Sequence, residues 1–278
     1  MSRLSSTSSL VLLWAGQECY KSKKAKAFLN ELELEEAKSL YEQCEKVCPY
    51  YDEVIKNRKF GIFNLIKKSI FTENKMLQIV IAAAGLDALG IEVIEHYPNT
   101  MVYELDSKNM EFKSELYGSI ETKLKPNIVF IEADLLNASS VYKGLSAHGW
   151  DVMKPTLLII EGISYYLPTE SIQKLFQTIK PNCTIFEFLK EDKEIVADKL
   201  KIAKKVFDLI SGQCELSDIT QYKYSKLEKL FNNMIIVDRH SMKRLEKMRT
   251  GSNRFFLTED SGWIEVCLLA NKWAAGIE

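Results

Sequence analysis

At 278 residues, 46% hydrophobic and 27% charged, the chain is long enough to bury a large α/β core without help from disulfides or metal. Its formal net charge of -1 gives no overall attraction to nucleic acid or to a membrane surface, so a polyanionic partner is not expected. Six cysteines, several in or beside apolar segments, fit reduced, buried thiols and a cytoplasmic setting, and no apolar run approaches the ~18 to 20 residues of a bilayer span.

In chain order, a polar cluster at 5–9 can cap a first helix with a buried stripe of Leu12, Leu13, Ala15, Gly16 and Cys19. A second helix is predicted over 31–47, ended by Pro49, and a third over 51–70. Cys44 and Cys48 stand one helical turn apart, but no second Cys or His pair has metal-ligand spacing, so they read as semi-buried thiols. The lysines at 21–26 and 67–68 read as solvated helix faces. These helices, 1–75, form a cap beside a core of 76–278, all within a single domain.

The stretch 76–106, MLQIVIAAAGLDALGIEVIEHYPNTMVYELD, organises the rest. A β-branched run from Leu77 to Ile81, a small-residue turn, a helix and a second apolar run make one βαβ unit. Small residues at 82–85 let backbone amides approach a ligand, and a carboxylate ending the next strand can hold ribose hydroxyls, so the unit reads as a nucleoside-cofactor site.

Beyond it, helices are predicted over 108–117, 138–147, 169–179, 192–210 and 217–231. Strands are predicted over 127–131, 156–160, 183–188, 234–237 and 262–273, and a basic, weakly patterned segment fills 239–254. The alternation predicts an α/β fold with a central, mostly parallel sheet flanked by helices. Ligands of such sheets bind beyond the carboxyl ends of the strands, where Asp87, Glu104, Asp134 and Glu161 fall.

The segments AAAGLDALG (82–90), VYELD (102–106), ADLLN (133–137) and PTLLIIEGISYYLP (155–168) resemble the leucine carboxyl methyltransferase family, in family order and spacing, over about the middle half of the chain. The resemblance implies a Rossmann-like class I methyltransferase fold with a helical N-terminal cap, and S-adenosyl-L-methionine as cofactor. It further implies Ala84 and Gly85 against the cofactor with Asp87 supporting the turn, Glu104 on the ribose, Asp134 and Leu135 at the adenine, and Glu161 at the methionine amino group. Arg58 would hold the methionine carboxylate, and Lys21 is a further cationic candidate. One departure is clear: Ala83 stands where the family has a glycine, which is uncomfortable if that position needs positive φ.

A carboxylate acceptor is ionised at neutral pH, so no general base is required, and orientation and desolvation would drive transfer. The expected acceptor is a free carboxylate, a peptide C-terminus ahead of a small-molecule acid. Tyr165 or Tyr166 could orient an acceptor oxygen, and Arg239, Arg244, Arg249 and Arg254 offer fork-shaped donors, with Arg244 and Arg249 the named candidates. His96, His148 and His240 read as structural or solvated. The alternatives are methylation of a hydroxylated metabolite, an NAD-dependent oxidoreductase, and an inactive binding module.

Overall fold

The computed structural model describes residues 6–73, 78–120, 127–214, 219–231 and 234–271. Four helices come first: α1 (Ser6–Ala15), α2 (Lys23–Asn30), α3 (Lys38–Val47) and α4 (Tyr51–Glu73). The helix predicted over 31–47 thus begins later, at Lys38, behind a single 3-10 turn at Glu35–Ala37. The separate α2 starts at Ser22, whose side chain accepts hydrogen bonds from the amides of Lys24 and Ala25.

The core then alternates strictly: β1 (Gln78–Ala82), α5 (Leu89–His96), β2 (Met101–Asp106), α6 (Met110–Ile120), β3 (Ile128–Glu132), α7 (Ala138–Ala147), β4 (Thr156–Ile160), α8 (Thr169–Ile179), β5 (Cys183–Leu189) and α9 (Ala197–Cys214). After it come α10 (Leu227–Leu230), β6 (Met234–Ser241), α11 (Met242–Thr250) and β7 (Ile264–Asn271). Residues 76 and 77, expected to open β1, and 272–273, expected to end the last strand, lie outside the described residues. The helix predicted over 217–231 shrinks to a turn at Tyr224–Lys226 running into α10, because Tyr222 is drawn instead into a bridge with Lys190; 217–218 are not described. The basic segment 239–254 contains a helix the sequence pattern hid, α11, capped by the Ser241 hydroxyl on the amide of Arg244.

The seven strands form one sheet in the order β3-β2-β1-β4-β5-β7-β6. The first five are parallel, and β7 inserts antiparallel to both β5 and β6. Every residue of β1 and β4 is buried, as expected of central strands covered on both faces. Ile79, Ile81, Leu157 and Ile159 pack toward α1, α4 and α5, while Val80, Leu158 and Phe186 pack toward α7 and α8. Strand order reverses between β1 and β4, and the crevice past their carboxyl ends is where α/β sheets bind ligands. Among the described residues no helix is long and apolar enough to cross a membrane.

Candidate active site

A cavity of about 700 Å³ opens at that crevice, lined by α1, α4, and the loops after β1, β2, β3 and β4. The loop after β1 is a tight turn with Ala83 at φ 55° and Gly85 at φ 49°. Ala84 N–H donates to the carbonyl of Leu105 at 2.9 Å and Gly85 N–H to Oδ2 of Asp106 at 2.9 Å, pinning the turn to the end of β2. The left-handed conformation costs an alanine about 1–2 kcal/mol, of which a glycine's extra freedom in the unfolded chain would give back about half. The Ala83→Gly variant is therefore expected to melt about 1–3 °C higher in a thermal unfolding scan, and a lower melting temperature would contradict strain at this position.

Asp87 caps the next helix, accepting from Leu89 N–H at 2.7 Å, and is ion-paired with Lys59. Burial opposes its charge, but the ammonium groups of Lys59 and Lys113 outweigh it and hold the carboxyl below its ordinary value. Asp87 is thus tied both to the start of α5 and to a charged network rather than standing alone.

The two carboxylates of β2 divide differently from the expectation that Glu104 meets the ribose. Glu104 is fully buried. It sits 2.5 Å from Lys113 Nζ, accepts from Gly90 N–H at 3.1 Å, and occupies the space that a side chain at Gly90 would take. Burial raises its carboxyl above the ordinary value, with the Lys113 charge opposing. Lys113 also donates to the carbonyls of Gly85 (3.0 Å) and Asp87 (2.5 Å), so a single buried ammonium ties the turn to β2. Both carboxylates line the cavity, Asp106, two residues on and on the same side of the strand, standing half-buried at the end of β2 beside Gly85.

At the end of β4, Glu161 meets two cations of α4: Arg58 Nε at 3.0 Å and Lys59 Nζ at 2.6 Å. Both cations are buried, and both are held charged: burial works against them, but Glu187 and Glu161 around Arg58, and Asp87 and Glu161 around Lys59, raise their pKa values. Behind them Glu187, buried in β5, accepts from Gly162 N–H and lies 3.9 Å from Arg58 Nη1. Arg58 Nε and Glu161 Oε1 make a close ion pair, yet neither completes a hydrogen bond among the described residues. Opposite charges with unused bonding capacity, facing a cavity, fit a zwitterionic group. Asp134 and Leu135 line the far rim after β3, with Asp134 exposed and accepting from Leu136 N–H at 2.9 Å.

Tyr165 and Tyr166 both line the cavity, Tyr165 buried and Tyr166 half-buried, their rings 4.6 Å apart. The arginines expected to hold an acceptor do not reach it. Arg239 forks onto Glu265 with two bonds of 2.7 Å, and Arg244 bonds Asp238 (3.2 Å) and the carbonyl of Arg239 (2.7 Å). Arg249 bonds Asn57 at 2.8 Å and pairs with Glu53, and Arg254 lies over the ring of Phe255. Arg239 and Arg249 find their partners far away in sequence, while Arg244 and Arg254 are taken by near neighbours, and residue type and spacing reveal neither. Lys21 is exposed outside the cavity lining, its backbone amide held by Glu92 at 2.8 Å. His96 and His148 face backbone carbonyls of their own helices, and His240 is buried in β6 beside Asp238. Cys44 and Cys48 are both buried.

Sequence reasoning missed Lys59, Asp106, Lys113 and Glu187. Two of these carried a signal: Lys113 interrupts the buried stripe Met110, Lys113, Tyr117 of α6, and Glu187 is a charge inside an otherwise apolar buried strand.

The sequence profile of the family described as leucine carboxyl methyltransferase matches residues 17–180. A proposed S-adenosyl-L-methionine-dependent methyltransferase of Mycolicibacterium paratuberculosis is 34% identical over 103 residues, which is 37% of this chain and 33% of that protein. The matched segment therefore spans about a third of this relative's length. Among solved structures, a protein of Thermobifida fusca described as a methyltransferase superposes with TM-score 0.64 at 14% identity, covering 91% of this chain and 96% of its own. A DUF574-family protein of Streptomyces avermitilis superposes with TM-score 0.63 at 11% identity, covering 94% and 99%. At these identities the likeness is one of fold.

Proposed function

Because this chain belongs to the leucine carboxyl methyltransferase family, we propose that it binds S-adenosyl-L-methionine in the cavity and methylates a free carboxylate. The observation that carries the reading is the Arg58–Glu161 pair at the end of β4, complementary to a methionine carboxylate and ammonium. Gly85 and Ala84 offer backbone to the nucleoside, Asp106 accepts from the ribose hydroxyls in place of Glu104, and Asp134 with Leu135 flanks the adenine. Lys59 and Asp87 keep Glu161 and the turn in position. Bound S-adenosyl-L-methionine supplies a methyl group made electrophilic by its sulfonium.

Burial pushes the Tyr51 and Tyr165 hydroxyls well up, and Arg58 and Lys59 keep their protons in the midst of carboxylates. An acceptor that is already ionised needs no proton acceptor from these groups. The attraction between its charge and the sulfonium draws the acceptor in, and apolar walls strip water from it. A peptide C-terminus and a small-molecule acid both meet this requirement.

Isothermal calorimetry with S-adenosyl-L-methionine, its demethylated product and NAD tests the cofactor assignment: binding to the first two and none to NAD is expected. Binding to NAD alone would favour the oxidoreductase, and binding to none the inactive module. For the reaction, kcat/KM is expected to stay flat from about pH 7 to 9. It should fall only on acidification, as Glu187 protonates: burial raises this carboxyl, the Arg58 charge opposing, so its hold on Gly162 and Arg58 is present above the raised pKa and lost below it. A rate that instead climbs tenfold per pH unit through neutrality would mark a hydroxyl acceptor and sink the carboxylate reading.

A further inference from the structure

The cavity divides by chemistry. Its charged side comprises the turn after β1, the β2 and β3 ends, and the Arg58–Glu161 pair; the remaining wall is built from α1, α4, the turn after β4 and α9. That wall includes Leu10, Trp14, Tyr51, Ile55, Tyr165 and Ile210, all buried, with Ser8 and Tyr166 half-buried beside them. The Trp14 N–H donates to Glu45 at 3.2 Å, the Trp14 ring lies 4.4 Å from that of Tyr51, and Tyr165 packs edge-on against Phe207 at 5.4 Å. Among the described lining residues the cations are Arg58, Lys59 and Lys108. The first two are engaged by Glu161, Glu187 and Asp87, and Lys108 is exposed on the opposite, β2 rim.

Resting on the reading of the site as a carboxyl methyltransferase, we propose that the acceptor is a small apolar acid, with one carboxylate on an aliphatic or arylalkyl body, rather than a peptide C-terminus. A peptide carries an amide N–H two bonds and an amide carbonyl three bonds from its terminal carboxyl carbon, and the side-chain polar groups that this wall sets against them, beyond the engaged Trp14 N–H, are four hydroxyls, of Ser8, Tyr51, Tyr165 and Tyr166. An unpaired buried amide is costly, whereas a hydrocarbon body gains from every contact with the same surface. The charge balance agrees: the carboxylate's countercharge is the sulfonium itself, and it is consumed in the reaction. The O–CH3 bond forms as the S–CH3 bond breaks, the bonding pair returns to sulfur, and no proton is transferred. A neutral ester then leaves a wall that no longer holds a charge against it.

The test incubates the full chain and S-adenosyl-L-methionine with octanoate, with 4-phenylbutanoate, and with short hydrophilic peptides ending in leucine and in serine, and measures methyl esters by mass spectrometry. Octanoate and 4-phenylbutanoate are expected to give kcat/KM at least about tenfold above either peptide. The Trp14→Ala variant should raise KM for octanoate at least about tenfold while calorimetry shows its cofactor affinity unchanged. Ile210→Trp, which narrows the same wall from α9, serves where Trp14→Ala does not fold, with the same expected split. A peptide esterified as well as or better than the acids overturns the proposal, and so does cofactor binding with no ester from either acid. Failure to bind S-adenosyl-L-methionine at all would instead remove the reading on which the proposal rests.

Discussion

Replacing Lys113 with methionine is expected to lower folding stability by about 3–5 kcal/mol, the cost of removing one partner from a buried ion pair. The side chain is fully buried and its ammonium satisfies three oxygens at once: Glu104 Oε2 and the carbonyls of Gly85 and Asp87. Methionine keeps the length but leaves a buried carboxylate with only the Gly90 amide and two backbone carbonyls without their donor. Glu104 is already held above its ordinary pKa by burial, and losing Lys113 raises it further, so the variant's deficit should grow as pH rises and shrink on acidification, where Glu104 becomes neutral. Urea melts at two pH values measure both effects. The Glu104→Gln change, added to Lys113→Met, should cost less than the two single changes summed, because it removes the orphaned charge. A loss below about 1 kcal/mol for Lys113→Met would mean that water or a rearranged turn replaces the ammonium.

The Asp106→Asn substitution is expected to weaken S-adenosyl-L-methionine binding about 100-fold, or roughly 2.7 kcal/mol, as two hydroxyls lose a charged acceptor. Folding should be little affected, since an amide oxygen can still accept from Gly85 N–H. The contrast lies with Glu104, two residues earlier: Glu104→Gln should change melting temperature while leaving the affinity of the folded protein within about threefold. Calorimetry on the pair separates the two carboxylates of β2. Near wild-type affinity for Asp106→Asn, together with a large loss for Glu104→Gln, would return the ribose to Glu104.

How far the fold could be read ahead of the structure depended on whether burial left a local mark. Strands β1 and β4 are buried along their whole length, and their apolar runs announced them; α7 and α8 have the bounds expected, 138–147 and 169–179. Helix α11 escaped because it buries only Met242, Leu245 and Glu246, and Glu246 is there to accept the amides of Phe255 and Phe256. The strand-end rule brought Asp87, Glu104, Asp134 and Glu161 to one cavity, but it does not rank two carboxylates on one strand. In VYELD, Glu104 and Asp106 share a face, and what separates them is a lysine on α6 that takes one and leaves the other. The arginines of 239–254 were misread for a related reason: Glu265 and Glu53 neutralise Arg239 and Arg249 from other parts of the chain and Asp238 takes Arg244 close by, and a linear pattern of charge does not say which charges are already matched.

The insertion of β7 between β5 and β6 has a consequence for the order of assembly. Strands β3, β2, β1, β4 and β5 can pair as they emerge from the ribosome, each lying beside a strand already made or joined by one short crossover. The outer edge of β5, including Phe186 and Phe188, then waits through some seventy residues of chain for its partner, and β6 emerges with nothing to pair against. Only residues 264–271 close both gaps at once. Strand β7 is thus the keystone of the sheet, and a nascent chain stalled before it would expose one long apolar strand edge and one unanchored strand, the two ingredients of strand-to-strand aggregation.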